Sequence, residues 1–297
     1  MTDSAHIASR VALPPISGRR RRADRMARSV TFVATIAALV PLVLILYYLL
    51  SKGIGALSWE FFTTDPTGRF LGDPGGIRSA IVGTIVIVAI ASVIAVPIGI
   101  GVALWLVEYG GQSRFANLVR YVVDVMSGVP SIVFGLFIYT TLVLAGGGAG
   151  GFSGMKGSIA LALLMLPVVT RSAEVALNLV PDSLREAALA LGAPRWRVIV
   201  RIVLPTAASG LLTGVLLAIA RAAGETAPLL FTAFGVKAMT WNPGQQMNAL
   251  PLQIFADVSQ AQDRLVTRAW GAALTLVAMV LALNLLARQI QRRSRLA

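Results

Sequence analysis

The sequence predicts an all-α polytopic membrane protein with six transmembrane helices. Of its 297 residues, 56% are hydrophobic and only 13% are charged, whereas soluble domains carry roughly 45–50% apolar and about 25% charged residues. The mean hydropathy is +0.77. Apolar runs long enough to cross a hydrocarbon core of ~30 Å, about 20 residues of helix, recur along the chain. Basic residues cluster beside the first and last of these runs, as is typical of cytoplasmic flanks of membrane spans.

The apolar runs give the expected transmembrane helices. The first run is too long for the ~7–15-residue apolar region of a signal peptide, and no small-residue cleavage site follows it, so we expect an uncleaved span. The later runs form a core at 79–288. The runs lie at 29–50, 79–107, 121–145, 158–180, 207–234 and 269–288.

The placement of lysine and arginine predicts the orientation. Of the 26 basic residues, 18 lie in the tails 1–28 and 288–297 and in the loops 108–120 and 171–206, and 7 lie in 51–78, 146–156 and 235–268. We therefore expect a multi-pass protein of the bacterial plasma (inner) membrane with both termini cytoplasmic. The net charge of +13 then faces the anionic headgroups of the lipid membrane, and we expect no nucleic acid as partner.

The sequences of the expected extracytoplasmic loops predict turns and contain no motif of a cofactor or metal site. The loop 51–78 is rich in proline and glycine. The run of glycines at 146–151 contains the spacing G-x-G-x-x-G, but a dinucleotide site needs a βαβ unit around that spacing. Membrane spans flank it here, so we interpret it as a flexible outer turn. Since the chain has no cysteine and no motif of a metal site, we expect no metal and no cofactor.

The cytoplasmic segment 180–209 predicts two helices joined at Gly192 and Ala193. Asp182 or Ser183 can cap the first helix, and Ser183 with Glu186 has the spacing of a capping box. Gly192 suits the left-handed position after a helix, and proline follows at the start of the next one. That second helix mixes Arg195, Arg197 and Arg201 with apolar residues. The pattern alone fits either an interfacial amphipathic helix or a docking element for a partner.

The same segment resembles the EAA loop of prokaryotic ABC-importer permeases. The sequence has Glu186-Ala187-Ala188, three residues, Gly192, nine residues, and then Ile202-x-Leu204-Pro205. The resemblance implies a type I ABC importer permease fold in which 181–205 forms coupling helices for an ATP-hydrolysing subunit, with Arg195 and Arg197 on the docking face. The chain itself has no G-x-x-x-x-G-K-[ST] motif for ATP phosphates. We therefore expect a transport subunit that is not itself an enzyme.

Charged residues inside the expected spans are the candidate substrate pathway. Arg221 lies in the fifth run with Glu225 four residues on, Arg171 and Glu174 are three apart in the fourth, and Asp124 lies near the start of the third. A charge at a helix centre costs about 2.5–3.5 kcal/mol on insertion scales. These residues are either neutralised pairs that hold helices together or arginines that meet an anion, and we favour the anion, because guanidinium binds tetrahedral oxyanions in bidentate fashion.

Helix breaks near these charges support a pathway. Gly128 and Pro130 lie in the third run, Pro167 in the fourth and Pro228 in the fifth. Each proline removes a backbone donor, and such breaks are tolerated in membranes where protein or a water-filled cavity meets the freed groups. Ordinary kinks are the alternative for any one of them.

Further strings make the resemblance more specific. "SGVPSIVFGLF" (127–137), "RAAGETAPLLFTA" (221–233) and "NALPLQIF" (248–255) are similar to PstA-type permeases of bacterial phosphate importers, over about 75–288. The resemblance implies phosphate as substrate, with Arg171, Glu174 and Arg221 involved in its passage. It implies as partners a PstC-type permease in a heterodimer, a PstB-type ATPase dimer and a PstS-type phosphate-binding protein. A permease for sulfate, molybdate or phosphonate and a PstC-type permease remain alternatives.

Other classes fit less well. "GFSG" at 151–154 matches a serine-protease pattern, but the single histidine, His6, is expected across the membrane from Ser153 and cannot activate it. An ion-coupled carrier could use Arg221 and Glu225 as a proton relay, but it would leave the EAA loop without a purpose.

Overall fold

A computed structural model describes residues 18–67, 72–147 and 151–294, with side chains to residue 289. The expectations for residues 1–17, which include His6, and for 68–71, 148–150 and 295–297 lie outside the described residues. Two compact units divide the chain at Tyr48 and Leu49.

The described residues are helical throughout, apart from turns and isolated bridges. The helices are α1 Gly18–Gly53, α2 Trp59–Thr63, α3 Arg78–Leu104, α4 Arg114–Gly128, α5 Ser131–Ile138, α6 Gly154–Asn178, α7 Asp182–Ala190, α8 Arg195–Val198, α9 Leu204–Ala223, α10 Ala227–Leu230, α11 Leu250–Val258 and α12 Asp263–Ser294. Wider π-helical turns continue α3 over Trp105–Gly110, α5 over Tyr139–Val143 and α8 over Ile199–Val203.

Helix α1 makes up the described part of the first unit. It begins at Gly18 and carries the arginines of residues 19–28 as helical residues. Its 36 residues span about 54 Å at 1.5 Å per residue, more than a bilayer core of ~30 Å. The helix is therefore long enough to hold its basic first turns outside the hydrocarbon region.

Five described helical segments are long and apolar enough to cross a membrane, and α4 with the α5 segment makes a sixth only as a bent pair. The run 121–145 is broken at the expected Gly128 and Pro130, where the two helices meet at 100°. Val129 is extended, with φ −73° and ψ 128°, and Pro130 precedes the first turn of α5. A residue before proline is driven from the helical region, and proline cannot donate the next hydrogen bond.

Helix α6 lies at the centre of the second unit and packs against α3, α4, α5 and α9. Leu161, Met165 and Val169 are buried with Ile87 of α3 and Ala218 of α9. The predicted break at Pro167 is not found, since α6 runs unbroken from Gly154 to Asn178 with Pro167 buried inside it. Neighbouring helices around a membrane helix allow one missing hydrogen bond without a break.

Helices α6 and α9 approach closely through small residues. A Cβ on Gly210 would lie 2.7 Å from the Cβ of Ala176, and one on Gly214 would collide with the side chain of Ser172. The residue number rises along α9 while it falls along α6, so the helices are antiparallel. Glycine is needed here because small side chains let membrane helix backbones come together.

The described part of the segment 51–78 is folded, not merely turn-rich. It contains α2, whose first turn is capped by the Ser58 side chain, and a bridge between Pro66 and Gly75. Asp65 accepts hydrogen bonds from Arg78 at 3.1 and 2.9 Å and from the backbone N–H of Met239 at 3.3 Å. The Arg78 hydrogen bonds hold the pKa of Asp65 below its usual value, against the opposing effect of partial burial.

The polar residues of the string "NALPLQIF" belong to a buried chain of hydrogen bonds. Asn248 donates to Gln253 at 2.8 Å, Gln253 donates to Asp257 at 2.9 Å, and Arg268 of α12 donates to both oxygens of Asp257 at 2.7 and 2.8 Å. The Leu250 N–H donates to Thr84 of α3. Each buried polar group is satisfied by the next, so the chain ties α11 to α12 and α3.

Candidate functional site

Four charged side chains of α4 and α6 form one cluster, here called the charge cluster: Arg120, Asp124, Arg171 and Glu174. Glu174 accepts a hydrogen bond from Arg120 Nε at 2.7 Å and another from Arg171 Nη1 at 2.7 Å. Arg171 Nε donates to Asp124 at 2.8 Å. The i,i+4 spacing on α4 and the i,i+3 spacing on α6 put each pair on one helix face, and the bend after Gly128 lets α4 lie along α6.

The cluster is neutral, and its carboxylates differ in exposure. Its two guanidinium groups and two carboxylates cancel, which lowers the cost of holding charge in this region. The Glu174 side chain is only 8% exposed, whereas that of Asp124 is 56% exposed. Glu174 is therefore the fixed partner of both arginines, and Asp124 is the partner of Arg171 that water or an anion can reach.

Arg120 is a member that sequence reasoning missed. Besides Glu174, it donates to the carbonyl oxygens of Gly111 at 2.9 Å and Leu106 at 3.2 Å. It had been counted only as a basic residue of the loop 108–120. Its position four residues before Asp124 is the signal that could have identified it.

Arg221 lies apart from the cluster and is less constrained. Within the described chain its one ion pair is with Glu225, at a distance of 3.8 Å, and its side chain is 57% exposed. The expected i,i+4 pair forms, but the expectation that both residues lie in one helix is wrong, because α9 ends at Ala223 and Glu225 follows in the turn at Gly224. Arg221 stands in the last turn of α9, where the helix dipole favours a cation.

Pro228 does not interrupt α9. It lies in the first turn of the separate helix α10, where its missing N–H has no intrahelical partner to lose. A Cβ on Gly135 of α5 would lie 2.7 Å from the Cα of Pro228. The break in the fifth run is therefore the turn Gly224–Thr226, directly after Arg221.

The two sets of charges lie at different levels. Gly214 is beside Ser172, the neighbour of Arg171. Arg221 is seven residues beyond Gly214 in the same helix, which is about 10 Å of rise at 1.5 Å per residue. An anion that moves along α9 would therefore meet Arg221 and the level of Arg171 in succession.

The expected docking segment is compact. Glu186 and Ala187 are exposed and Ala188 is buried, while Gly192 has φ +78°. The capping box is not formed, since Pro181 holds the N-cap position of α7 and no described side chain caps that turn; Ser183 is already inside the helix. The second helix is not a separate element, because α8 continues through Ile199–Val203 into α9.

The exposed face of this segment is largely apolar. Leu191 is 90% exposed, and Leu184, Leu189 and Trp196 are also exposed. Arg197 lies over the Trp196 ring, with 5.4 Å from its guanidinium carbon to the ring centroid. Exposed apolar side chains beside basic residues are typical of a protein docking site.

A comparison with protein families matches residues 95–296 to the binding-protein-dependent transport system inner membrane component. The chain is 40% identical over 280 residues to the phosphate transport system permease protein PstA of Xylella fastidiosa (strain Temecula1), covering 94% of this chain and 96% of that protein. It is 42% identical over 272 residues to PstA of Yersinia pestis, covering 91% and 90%. It is 40% identical over 293 residues to PstA 1 of Mycobacterium tuberculosis (strain H37Rv), covering 96% and 94%.

Solved structures share the fold at lower identity. A bacterial alginate ABC transporter, crystallised with an alginate-bound periplasmic protein, matches with a TM-score of 0.66 and 15% identity over 92% of this chain and 96% of that chain. The inward-facing MetNI methionine ABC transporter matches with a TM-score of 0.58 and 19% identity over 73% and 94%.

Proposed function

This chain belongs to the family of binding-protein-dependent transport system inner membrane components, and from that premise we propose that it is the PstA-type permease subunit of an ATP-driven importer of inorganic phosphate. The names and coverage of its relatives support phosphate as the substrate. One observation of the structure carries the proposal furthest: Arg221 is an exposed guanidinium beside a helix end, with a carboxylate only at 3.8 Å.

Arg221 suits the first contact with phosphate. A guanidinium offers parallel N–H donors that match two phosphate oxygens. Glu225 neutralises Arg221 when the pathway is empty, and its distance of 3.8 Å leaves the donors free to turn toward an anion. Binding there must stay weak, because a tightly held phosphate would not move on.

The charge cluster is the second contact in this proposal. Phosphate that reaches Arg171 competes with Asp124, the exposed partner, while Glu174 keeps hold of Arg171 and Arg120 from the buried side. When phosphate leaves, Asp124 pairs with Arg171 again. Because phosphate replaces Asp124 on the Arg171 guanidinium, Arg171 always has an anionic partner in the membrane.

Energy comes from another subunit in this proposal. The sequence has no ATP-binding P-loop, and the exposed apolar face at Leu184, Leu189, Leu191 and Trp196 is the surface for a PstB-type ATPase dimer. A PstC-type permease would complete the pathway, and a PstS-type protein would deliver phosphate to the folded outer segments. Both termini would then be cytoplasmic, with 1–28 and 289–297 as basic flanks.

The test is phosphate uptake by cells that depend on this protein, with wild type compared with Arg221→Gln. Loss of a hydrogen bond to a charged group costs about 1.5–3 kcal/mol, so we expect uptake to fall at least about tenfold at normal membrane abundance. Arg114→Gln makes the same chemical change at an exposed residue of α4 and is the matched control. Unchanged phosphate uptake in Arg221→Gln would refute the pathway role, and sulfate uptake by wild type would identify another oxyanion importer.

A further inference from the structure

The docking segment has two arms, α7 and α8, which lie on either side of Gly192 in the chain. We propose that Glu108, at the cytoplasmic end of the helix that α3 begins, is the positioning residue that joins both arms to the transmembrane helices. The inference deepens the proposed function, since it rests on the docking of an ATPase at α7 and α8. Glu108 lies in the π-helical turn Trp105–Gly110 and is 5% exposed. Among the described contacts, no residue of the charge cluster hydrogen-bonds to the Glu108 side chain. Its burial therefore serves something other than the proposed substrate pathway.

The first arm reaches Glu108 through Arg185 of α7. Arg185 Nε donates to the Glu108 carboxylate at 3.1 Å. The same guanidinium donates to the carbonyl oxygens of Leu177 at 2.9 Å and Val180 at 2.6 Å. Those carbonyls belong to the C-terminal end of α6 and the turn after it, where helix carbonyls have no partner within the helix. Arg185 therefore fastens α7 to the ends of both α3 and α6.

The second arm reaches the same residue through Arg195 of α8. Arg195 Nη2 donates to the backbone oxygen of Glu108, and its guanidinium carbon lies 5.0 Å from the centroid of the Tyr109 ring. A cation at that distance from an aromatic face is attracted to it. Arg185 precedes the turn at Gly192 and Arg195 follows it. Because both bond to Glu108, the short turn that continues α3 holds the angle between α7 and α8.

Packing beneath these bonds makes the connection stiff. Ala188 of α7 and Val198 of α8 are buried in one cluster with Ala103 of α3, Ala173 and Leu177 of α6, and Val203. A close-packed cluster transmits displacement because it has few voids to absorb it. A pull on α7 and α8 by the ATPase would therefore move the ends of α3 and α6 together, and α6 carries Arg171 and Glu174.

The role differs from that of Glu186. Glu186 is exposed on α7 and can meet the partner, whereas Glu108 is buried, with its carboxylate bonded to Arg185 and its backbone oxygen bonded to Arg195. Loss of Glu108 would thus leave the docking face in place and loosen its connection to the spans. The expected defect is ATP hydrolysis that no longer drives transport.

The experiment uses the complete importer in proteoliposomes and measures phosphate transported per ATP hydrolysed. For Glu108→Gln we expect normal co-purification of the ATPase, basal hydrolysis within about twofold of wild type, and a ratio lower by about tenfold, which is within the range by which single residues alter coupling. Asp182→Asn is the matched control. It removes another carboxylate from Arg185 at 2.9 Å, but that pair lies within α7 and Asp182 is 87% exposed, so its ratio should equal that of wild type.

An unchanged ratio in Glu108→Gln overturns the proposal. If Glu108→Gln does not assemble, Arg185→Gln decides, because Arg185 is not among the residues expected on the docking face and its loss removes the bond to the Glu108 carboxylate; a reduced ratio with normal assembly supports the proposal, and an unchanged ratio overturns it. Failure of the wild-type vesicles to transport phosphate would instead contradict the proposed function.

Discussion

Arg120 and Glu174, 54 residues apart in the chain, are joined by a hydrogen bond of 2.7 Å from Nε of the guanidinium to the buried carboxylate. This bond connects α4, the helix before the 100° bend, to the central helix α6. It also orients Glu174 toward Arg171. The geometry of the proposed anion pathway therefore depends on a residue outside the set identified from sequence.

Arg120→Gln should destabilise the protein more than Arg114→Gln. The substitution removes one of the two arginines from a carboxylate that is 8% exposed, and breaking a buried pair costs about 3–5 kcal/mol, with the lower end expected for a partly exposed arginine. Arg120→Lys should restore little, because an ammonium group cannot reproduce the planar fork that also serves Gly111 and Leu106. Thermal unfolding of the purified complex measures the effect, and equal stability of the two glutamine variants would contradict it.

Asp124→Asn should slow transport without unfolding the protein. Asp124 is 56% exposed, so its pair with Arg171 is worth about 0.2–1 kcal/mol, and its loss leaves Arg171 freer to hold phosphate. We expect the maximal uptake rate to fall by up to about fivefold while the concentration for half-maximal uptake also falls. Initial-rate uptake over a range of phosphate concentrations separates the two quantities. A higher half-saturating concentration would show that Asp124 does not compete with the substrate.

Gly214→Ala should disturb the α6–α9 contact, whereas Gly101→Ala should not. A Cβ at Gly214 collides with Ser172, and one at Gly101 meets no atom within 4 Å in the described structure. Overpacking costs about 1–3 kcal/mol, while alanine in an open helical position is more favourable than glycine by about 0.5–1 kcal/mol. The complex carrying Gly214→Ala should melt at a lower temperature, and uptake should fall with it. Similar melting of both variants would argue against the close approach.

Acid should weaken the hydrogen bonds that Asp65 accepts from Arg78 and Met239. The folded protein holds the pKa of Asp65 below the ordinary value of 3.8, chiefly through the hydrogen bonds from Arg78. The stabilisation is therefore complete above the ordinary value and is lost as pH falls through the lowered folded pKa. Amide exchange at Met239, whose N–H donates to Asp65, should accelerate in that acid range after correction for intrinsic exchange. Asp65→Asn should show fast exchange with no such pH step.

Apolar runs and turn signals predicted the broad architecture, because each is set by residues that are adjacent in the chain. Apolar runs located the spans, and the glycine at 192 was placed correctly in a left-handed turn with φ +78°. The break in the third run was expected from Gly128 and Pro130, but its angle of 100° was not, because hydropathy records length and polarity but not direction. The capping box at Ser183 and Glu186 is not formed because the helix begins two residues earlier than a Ser183 cap requires, after Pro181.

The sequence by itself determined the membrane class, the family resemblance and which residues carry charge inside apolar runs. The tertiary structure decided which of those charges meet. Arg171 is held by Asp124 and Glu174, Arg120 joins them, and Arg221 stands apart with Glu225 at 3.8 Å. Hydropathy and capping signals are sums over adjacent residues, but an ion pair between α4 and α6 depends on the bend after Gly128 and on the depth and rotation of both helices. Those quantities are set by packing around α6 and have no local pattern in the chain.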